Sequence, residues 1–233
     1  MENMCGRFVG FRRVEELKQY FPIDQARCEA TANYNVAPSQ EILALARLQG
    51  ANVLDHYHWG LVPFWAKDTV IGSKMINARV ETVAEKPAFR EAFKKRRCLI
   101  LADGFYEWKA QKGKKQPVYI TLPDQAPFAF AGLWESWQNK ESPLPEPYRS
   151  CTIITRAAMG PIEQIHHRMP VILSPPAYAQ WLDTELHDPE VLLALMQTQC
   201  LTDIVFHPVS RQVNTVSHND PSNVKPVQME FDF

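Results

Sequence analysis

The sequence predicts an α+β fold: a single domain around a curved, mostly antiparallel sheet or barrel, with helices at its periphery. Strand-like apolar runs crowd the middle of the chain, at residues 98–101, 118–122, 128–133 and 151–155. Helical spacing appears only in short, scattered stretches. No repeat or linker divides the 233 residues, 45% of them hydrophobic, and one domain commonly fills such a length.

Residues 5–11 open with an apolar stretch, after which Val14, Leu17, Tyr20 and Phe21 recur at helical spacing over 14–21. Residues 42–48 and 53–59 read as a strand pair around the turn Gln49-Gly50-Ala51-Asn52. A short helix is expected over 87–93, with Pro87 at its entry and the basic run 94–97 at its C-terminal end, where cations suit the helix dipole. The four apolar runs follow. The loop 138–148 holds Pro143, Pro145 and Pro147; beyond it come a strand at 169–173, helices at 176–182 and 189–198, and a closing strand at 204–209.

Composition removes several function classes. Lys and Arg number 25 against 26 Asp and Glu, which excludes a bulk polycation and a charge-rich disordered chain. Eighteen prolines against nine glycines imply stiff loops. No stretch approaches the roughly 18 apolar residues that span a membrane, and Met1-Glu2-Asn3-Met4 has neither the basic flank nor the apolar run of a secretory leader. Cys5, Cys28, Cys98, Cys151 and Cys200 are odd in number and widely spread, without a Cys-x-x-Cys pair. That pattern points to a reducing compartment, against a disulfide framework and against structural zinc. The expected location is the cytoplasm, at the nucleoid in a bacterium. Charge is uneven: nine basic residues face three acidic ones over 90–115, and eight acidic face two basic over 183–233. A solvated lysine-rich turn with an acidic tail accounts for this, and so does a basic face for phosphates.

Polar residues interrupt apolar or turn-like segments at Cys5-Gly6-Arg7-Phe8, Tyr34-Asn35-Val36-Ala37-Pro38, Ile76-Asn77-Ala78-Arg79-Val80-Glu81-Thr82, Ala102-Asp103-Gly104-Phe105-Tyr106-Glu107-Trp108 and Ile165-His166-His167-Arg168-Met169-Pro170. Singly, each has a structural explanation: a turn cap at Asn77, an ion pair at Glu107 with Arg79 or a lysine, a core histidine at His166. His56 and His58 alternate on a strand, but no third metal ligand accompanies them. Together the segments offer a thiol, an amide, a carboxylate and an imidazole, the inventory of a nucleophilic site with acid/base support.

In this order the five segments resemble the SOS response-associated peptidase (SRAP) family, also called abasic site processing proteins. Trp59-Gly60-Leu61-Val62-Pro63, Lys115-Gln116-Pro117, Leu173-Ser174-Pro175 and His207-Pro208-Val209-Ser210 add to the likeness. It runs from Cys5 to about Lys225, leaving 1–4 as an N-terminal extension, 5–225 as an SRAP-like domain and 226–233 as a tail. The resemblance implies a DNA-damage enzyme, expected as a monomer, that binds single-stranded DNA and crosslinks covalently to abasic sites. It further implies lyase activity and a self-processing cysteine peptidase activity. It assigns the reactive cysteine to Cys5, with Asn77, Glu107 and His166 as the other catalytic positions. Arg7, Arg79 and Arg168 then suit phosphates or base planes, Trp65 and Trp108 suit base stacking, and Asn35 and Thr155 complete the expected DNA contacts. No metal or organic cofactor is implied. A cysteine autopeptidase or hydrolase acting on protein and a non-catalytic single-strand binder are the competing classes.

The chemistry explains why the cysteine must be N-terminal. An α-amino group has a pKa of about 7.7–8.0, so it offers a neutral nucleophile near pH 7 that a lysine, at about 10.4, does not. Its imine with the abasic aldehyde can be closed by the thiol into a five-membered thiazolidine. This chain departs from the family's Met-Cys start, because Met1-Glu2-Asn3-Met4 precedes Cys5. Translation from Met4, self-cleavage before Cys5, and loss of the crosslinking chemistry are the three readings; the internal start is preferred. At the other end, Gln228-Met229-Glu230-Phe231-Asp232-Phe233 resembles a bacterial sliding-clamp-binding peptide, with simple terminal packing as the alternative.

Overall fold

The apolar runs in the middle of the chain are strands, and most are buried on both faces. The computed structural model describes residues 6–111, 114–139, 141 and 144–227. The first half carries β1 (Phe8–Gly10), α1 (Val14–Leu17), β2 (Gln25–Ala26), β3 (Asn33–Val36), β4 (Glu41–Leu48), β5 (Ala51–Trp59), β6 (Asn77–Arg79), α2 (Arg90–Lys95) and β7 (Arg97–Ala102). The second half carries β8 (Gly104–Gln111), β9 (Lys114–Thr121), β10 (Phe128–Trp137), β11 (Tyr148–Ala157), β12 (Arg168–Pro170), β13 (Ile172–Leu173), α3 (Tyr178–Leu182), α4 (Pro189–Thr198) and β14 (Val205–Pro208). The α+β class read from the sequence is the observed one.

One sheet has the order β14-β9-β8-β1-β3 and is antiparallel throughout. The other runs β12-β11-β10-β7-β4-β5-β2 and curls until β5 meets β11. That contact is parallel and covers only two pairs, Ser150 with His58 and Cys151 with Trp59. The result is a barrel-like ring, not a continuously bonded barrel. Strand β6 lies parallel beside β11.

Leu99 and Leu101 of β7, with Ala129, Ala131 and Leu133 of β10, pack against the helical layer of Phe93, Trp181 and Leu192. Their neighbours Cys98, Ile100, Phe128 and Phe130 point the other way, into a core shared with Phe8, Phe105 and Val118 of the first sheet. Side chains alternate across a strand, so a sheet covered on both faces has no polar face to present. This is why the segments read as unbroken apolar runs.

Local chemistry sets the departures from the expected elements. The β4–β5 turn narrows to Gln49 and Gly50, both at positive φ (51° and 85°), as a two-residue hairpin requires. The helix expected over 14–21 is only α1, one turn long; Val14, Leu17 and Phe21 are buried while Tyr20 is exposed. Helix α2 begins later than expected, at Arg90. The strand expected at 169–173 divides at Val171, whose N–H donates to Ile154 and whose carbonyl accepts from Ala131, each at 2.8 Å. The turn-like segment around residues 103–108 is the start of β8, between β1 and β9.

Gly60 and Gly72 lie in close backbone contact: a methyl on Gly72 would sit 2.6 Å from the Gly60 carbonyl oxygen. That approach sets the path of the segment carrying Phe64 and Trp65. Gly72→Ala should destabilise the fold by about 1–3 kcal/mol and lower Tm in thermal unfolding. An unchanged Tm would mean that the neighbouring backbone yields without cost.

Candidate active site

Strand alternation places a carboxylate among apolar side chains. In β8, Phe105 faces the core shared by the two sheets and Tyr106 the opposite side, so Glu107 falls on the apolar face, where it is 3% exposed. It lines a cleft of about 500 Å³. Trp108, Ala110 and Lys115 of the β8–β9 hairpin form one wall, and Glu163, Ile165, His166 and His167 form the other.

The second wall is a short 3-10 turn, Gly160–Gln164, anchored by buried Ile162 and Ile165 in the shared core. The N–H of His166 donates to the Ile162 carbonyl at 3.0 Å. Its ring Nδ1 sits 3.1 Å from the Arg168 amide and 3.2 Å from the Arg168 carbonyl. Nδ1 accepts from the Arg168 N–H when it is unprotonated and donates to the Arg168 carbonyl when it is protonated, so either form of the ring is held in place. The His167 ring lies 4.4 Å away, tilted by 34°.

Strand β1 lies beside β8, the strand that carries Glu107. Phe8 pairs with Phe105 and Val9 with Gly104, and the Tyr106 N–H donates to the Arg7 carbonyl at 2.9 Å. Continued two residues beyond Phe8, this antiparallel register would put Gly6 opposite Glu107. Cys5, the residue before it, lies outside the described residues, as does the clamp-like tail from Gln228 to Phe233. The four described cysteines are free thiols. Burial pushes Cys98 and Cys151 well above the ordinary thiol range, and burial with the nearby Asp55 carboxylate pushes Cys28 up to about 11. These three are poor thiolates.

Several expected DNA contacts are committed to the fold. Asn35 has no accessible surface; its amide donates to the carbonyls of Val213, Thr215 and His218, and its oxygen accepts from Arg7 at 2.6 Å. Arg7 also donates to the Val213 carbonyl at 2.7 Å, lies 5.8 Å over the Trp108 ring, and is depressed in pKa by burial. Trp108 donates from Nε1 to Asn214 at 2.8 Å. Thr155 is fully buried within β11, with its hydroxyl 3.3 Å from the Ala78 carbonyl.

Arg168, only 8% exposed, forks onto both carboxylate oxygens of Glu81 and donates to the Thr155 carbonyl at 2.8 Å. Partial burial raises the Glu81 pKa, but hydrogen bonds from Arg168 and the charges of Arg168 and Arg79 outweigh it and hold the acid below its ordinary range. The sequence reading had no partner for Arg168. Arg7, Asn35, Thr155 and Arg168 thus position the walls, whereas Arg79 and Trp65 are exposed. Asn77 opens β6 beside Ile153, held by the Ile76 carbonyl, which accepts from the Ile153 N–H and from Trp59 Nε1.

Phe64 was missed, although it precedes Trp65 directly and is 54% exposed. A hydrophobic residue after Val62-Pro63 reads as core, and only the fold shows it on the surface. The basic run 94–97 divides: Arg97 is buried against the carbonyls of Phe93, Lys94, Trp181 and Asp183, and Arg96 pairs with Glu135 at 2.5 Å. Lys95 is exposed. His58 lies 3.7 Å from the Glu41 carboxylate, and among the described residues no group of three or more His, Cys, Asp or Glu is placed to hold a metal ion. Nor, among them, is any helix long and apolar enough to cross a membrane.

The chain is 44% identical over 225 residues to the abasic site processing protein YoqW of Bacillus subtilis (strain 168), covering 95% of this chain and 99% of that one. It is 31% identical to the abasic site processing protein YedK of Escherichia coli (strain K12), covering 96% and 100%. A crystal structure of a Bacteroides thetaiotaomicron protein shares the fold with a TM-score of 0.82 at 24% identity, covering 96% of this chain and all of that one. Residues 4–216 match the model of the SOS response associated peptidase (SRAP) family, and with relatives at these identities the chain belongs to that family.

Proposed function

We propose that this protein processes abasic sites in single-stranded DNA by bonding to them covalently through Cys5, as the first residue of the mature chain. The observation that carries the reading is convergence: Glu107 and His166 line one cleft, and the β1–β8 register, continued two residues beyond Phe8, runs toward Glu107. The names of the relatives and the start of the family match at Met4 support it. The α-amine adds to the C1′ aldehyde and water leaves as the imine forms. The Cys5 thiol then adds across the C=N bond, closing a thiazolidine. Glu107 and His166 move the protons of ring opening, dehydration and closure, and Asn77 holds the imine carbon within reach of sulfur.

Removal of a C2′ proton from the imine expels the 3′ phosphate, which is lyase chemistry; addition of water returns intact DNA. None of these steps calls for a metal or an organic cofactor. Phe64 and Trp65 offer ring faces for unpaired bases and Arg79 an exposed guanidinium for phosphate. The peptidase in the family's description favours a second reading of the same groups: hydrolysis of the peptide bond before Cys5, with His166 as base, which would also free the α-amine.

A natural abasic oligonucleotide should give a band of reduced mobility that survives denaturation and is lost in Cys5→Ala. Intact-mass spectrometry of the natively expressed protein should find Cys5 at the N-terminus. Retention of residues 1–4 without a crosslink would sink the covalent reading, and equal binding by Cys5→Ala without any wild-type adduct would leave a plain DNA binder.

Glu107→Gln and His166→Ala should each slow adduct formation by about 10²–10⁴-fold in single-turnover assays at saturating DNA. Wild-type rates would remove the proton-transfer roles. Trp65→Ala should cost about 1–3 kcal/mol of affinity for single strands, measured by anisotropy.

A further inference from the structure

At the opposite end of the β8–β9 hairpin from the reactive cleft lies a second concavity of about 540 Å³. Lys115 lines the cleft and Thr121 ends β9 beside this groove, so the two are about 20 Å apart at ~3.3 Å per residue. The floor is Phe128 and Tyr178, both buried, with Tyr178 stacked on Phe21 at 5.6 Å. Pro123, Pro127 and Pro175 form its sides with Tyr20, which is 43% exposed.

The walls are stiff as well as apolar. The Gln125 N–H donates to the Leu122 carbonyl at 3.0 Å, the Ala126 N–H to Asp124 Oδ1 at 3.0 Å, and Gln125 holds a positive φ of 56°. A preformed groove loses little freedom on binding.

Its charge is one-sided. Asp124 and Asp203 line it, both exposed, and among the described residues neither joins an ion pair. Arg12, 5.6 Å over the Tyr20 ring, is already bound to Asp103 and to the Gln125 carbonyl. Uncompensated carboxylates repel a phosphate backbone and attract a cation. Tyrosine and proline faces with an acidic edge suit an extended, proline-bearing peptide, whose backbone enters such a groove already ordered.

We propose that this groove docks a short extended segment of a partner protein, rich in proline or leucine and carrying lysine or arginine. Its distance from the cleft lets the partner bind while DNA is held. The surface does not depend on the abasic-site reading.

The probe is a fluorescein-labelled peptide, Arg-Pro-Leu-Pro-Pro-Leu-Pro-Arg, followed by anisotropy against the full chain. Saturable binding is expected, weakened about tenfold or more by Tyr20→Ala, since aromatic anchors dominate such contacts. Asp124→Asn with Asp203→Asn should weaken it about fivefold and flatten its salt dependence. A peptide with glutamate in place of arginine should not bind. These positions are exposed, and an unchanged Tm together with unchanged affinity for single-stranded DNA confirms that each variant is folded. Absence of saturable binding, equal binding by the Tyr20 and double Asp variants, or displacement of the peptide by an oligonucleotide overturns the proposal. So does a concentration-dependent dimer, seen by sedimentation, that Tyr20→Ala abolishes, because the groove would then belong to a second copy of the chain.

Discussion

The pairing of β1 between β3 and β8 is the constraint on which the candidate site depends. A three-residue strand has almost no stability of its own, yet here both of its edges are bonded and both of its faces are covered. Phe8 packs on Trp59 at 5.2 Å and Phe130 at 5.9 Å, and Val9 is buried with Tyr106 and Val213 on the other side. Burying a side chain of this size contributes about 1.5–3 kcal/mol. The start of the domain is therefore held from inside the sheet, where fraying is opposed by two ladders and two cores. The register of that strand pairs Phe8 with Phe105, two residues before Glu107, so the same interactions that seat β1 also hold the strand that carries Glu107.

The arginines follow a related logic. A guanidinium has five donors and no acceptor, and irregular segments leave carbonyls without partners. Arg7 draws in the carbonyl of Val213, Arg97 those of Phe93, Lys94, Trp181 and Asp183, and Arg168 that of Thr155. Arg7 ties the chain before β1 to the turn at Val213, Arg97 ties β7 to the ends of α2 and α3, and Arg168 ties β12 to β11; Arg97 and Arg168 are thereby withdrawn from solvent. Phe64, Trp65, Arg79 and Lys95 instead keep exposed faces. In the proposed chemistry Arg7, over Trp108, and Arg168, bonded to His166, support the cleft walls and the exposed groups meet the strand.

Legibility in the sequence tracked burial. Residues 98–101 and 128–133 were readable because two-sided burial leaves only apolar side chains, and α4 because an apolar stripe, Pro189 and an Asp188 cap agree. Strand β8 was not, since Asp103-Gly104 looks like a turn and Glu107 breaks the pattern. Glu107 is nonetheless a strand residue on an apolar face, and the break in the pattern marks the cleft. Phe64 and Glu81 were invisible for another reason: whether a side chain is exposed or paired depends on segments far away in the chain.

The sequence by itself determined the α+β class, the order of the main strands, the five motif segments and the family, because these rest on local periodicity and on residues read in order. Only the tertiary structure decided that Glu107 and His166 share a cleft with Lys115 and His167, that Asn35, Thr155 and Arg168 face inward, and that an acidic, proline-lined groove stands at the far end of the hairpin. Those facts depend on strand register and on which loops meet across it. Burial likewise separates the described thiols from their free values: it raises the pKa of Cys28, Cys98 and Cys151.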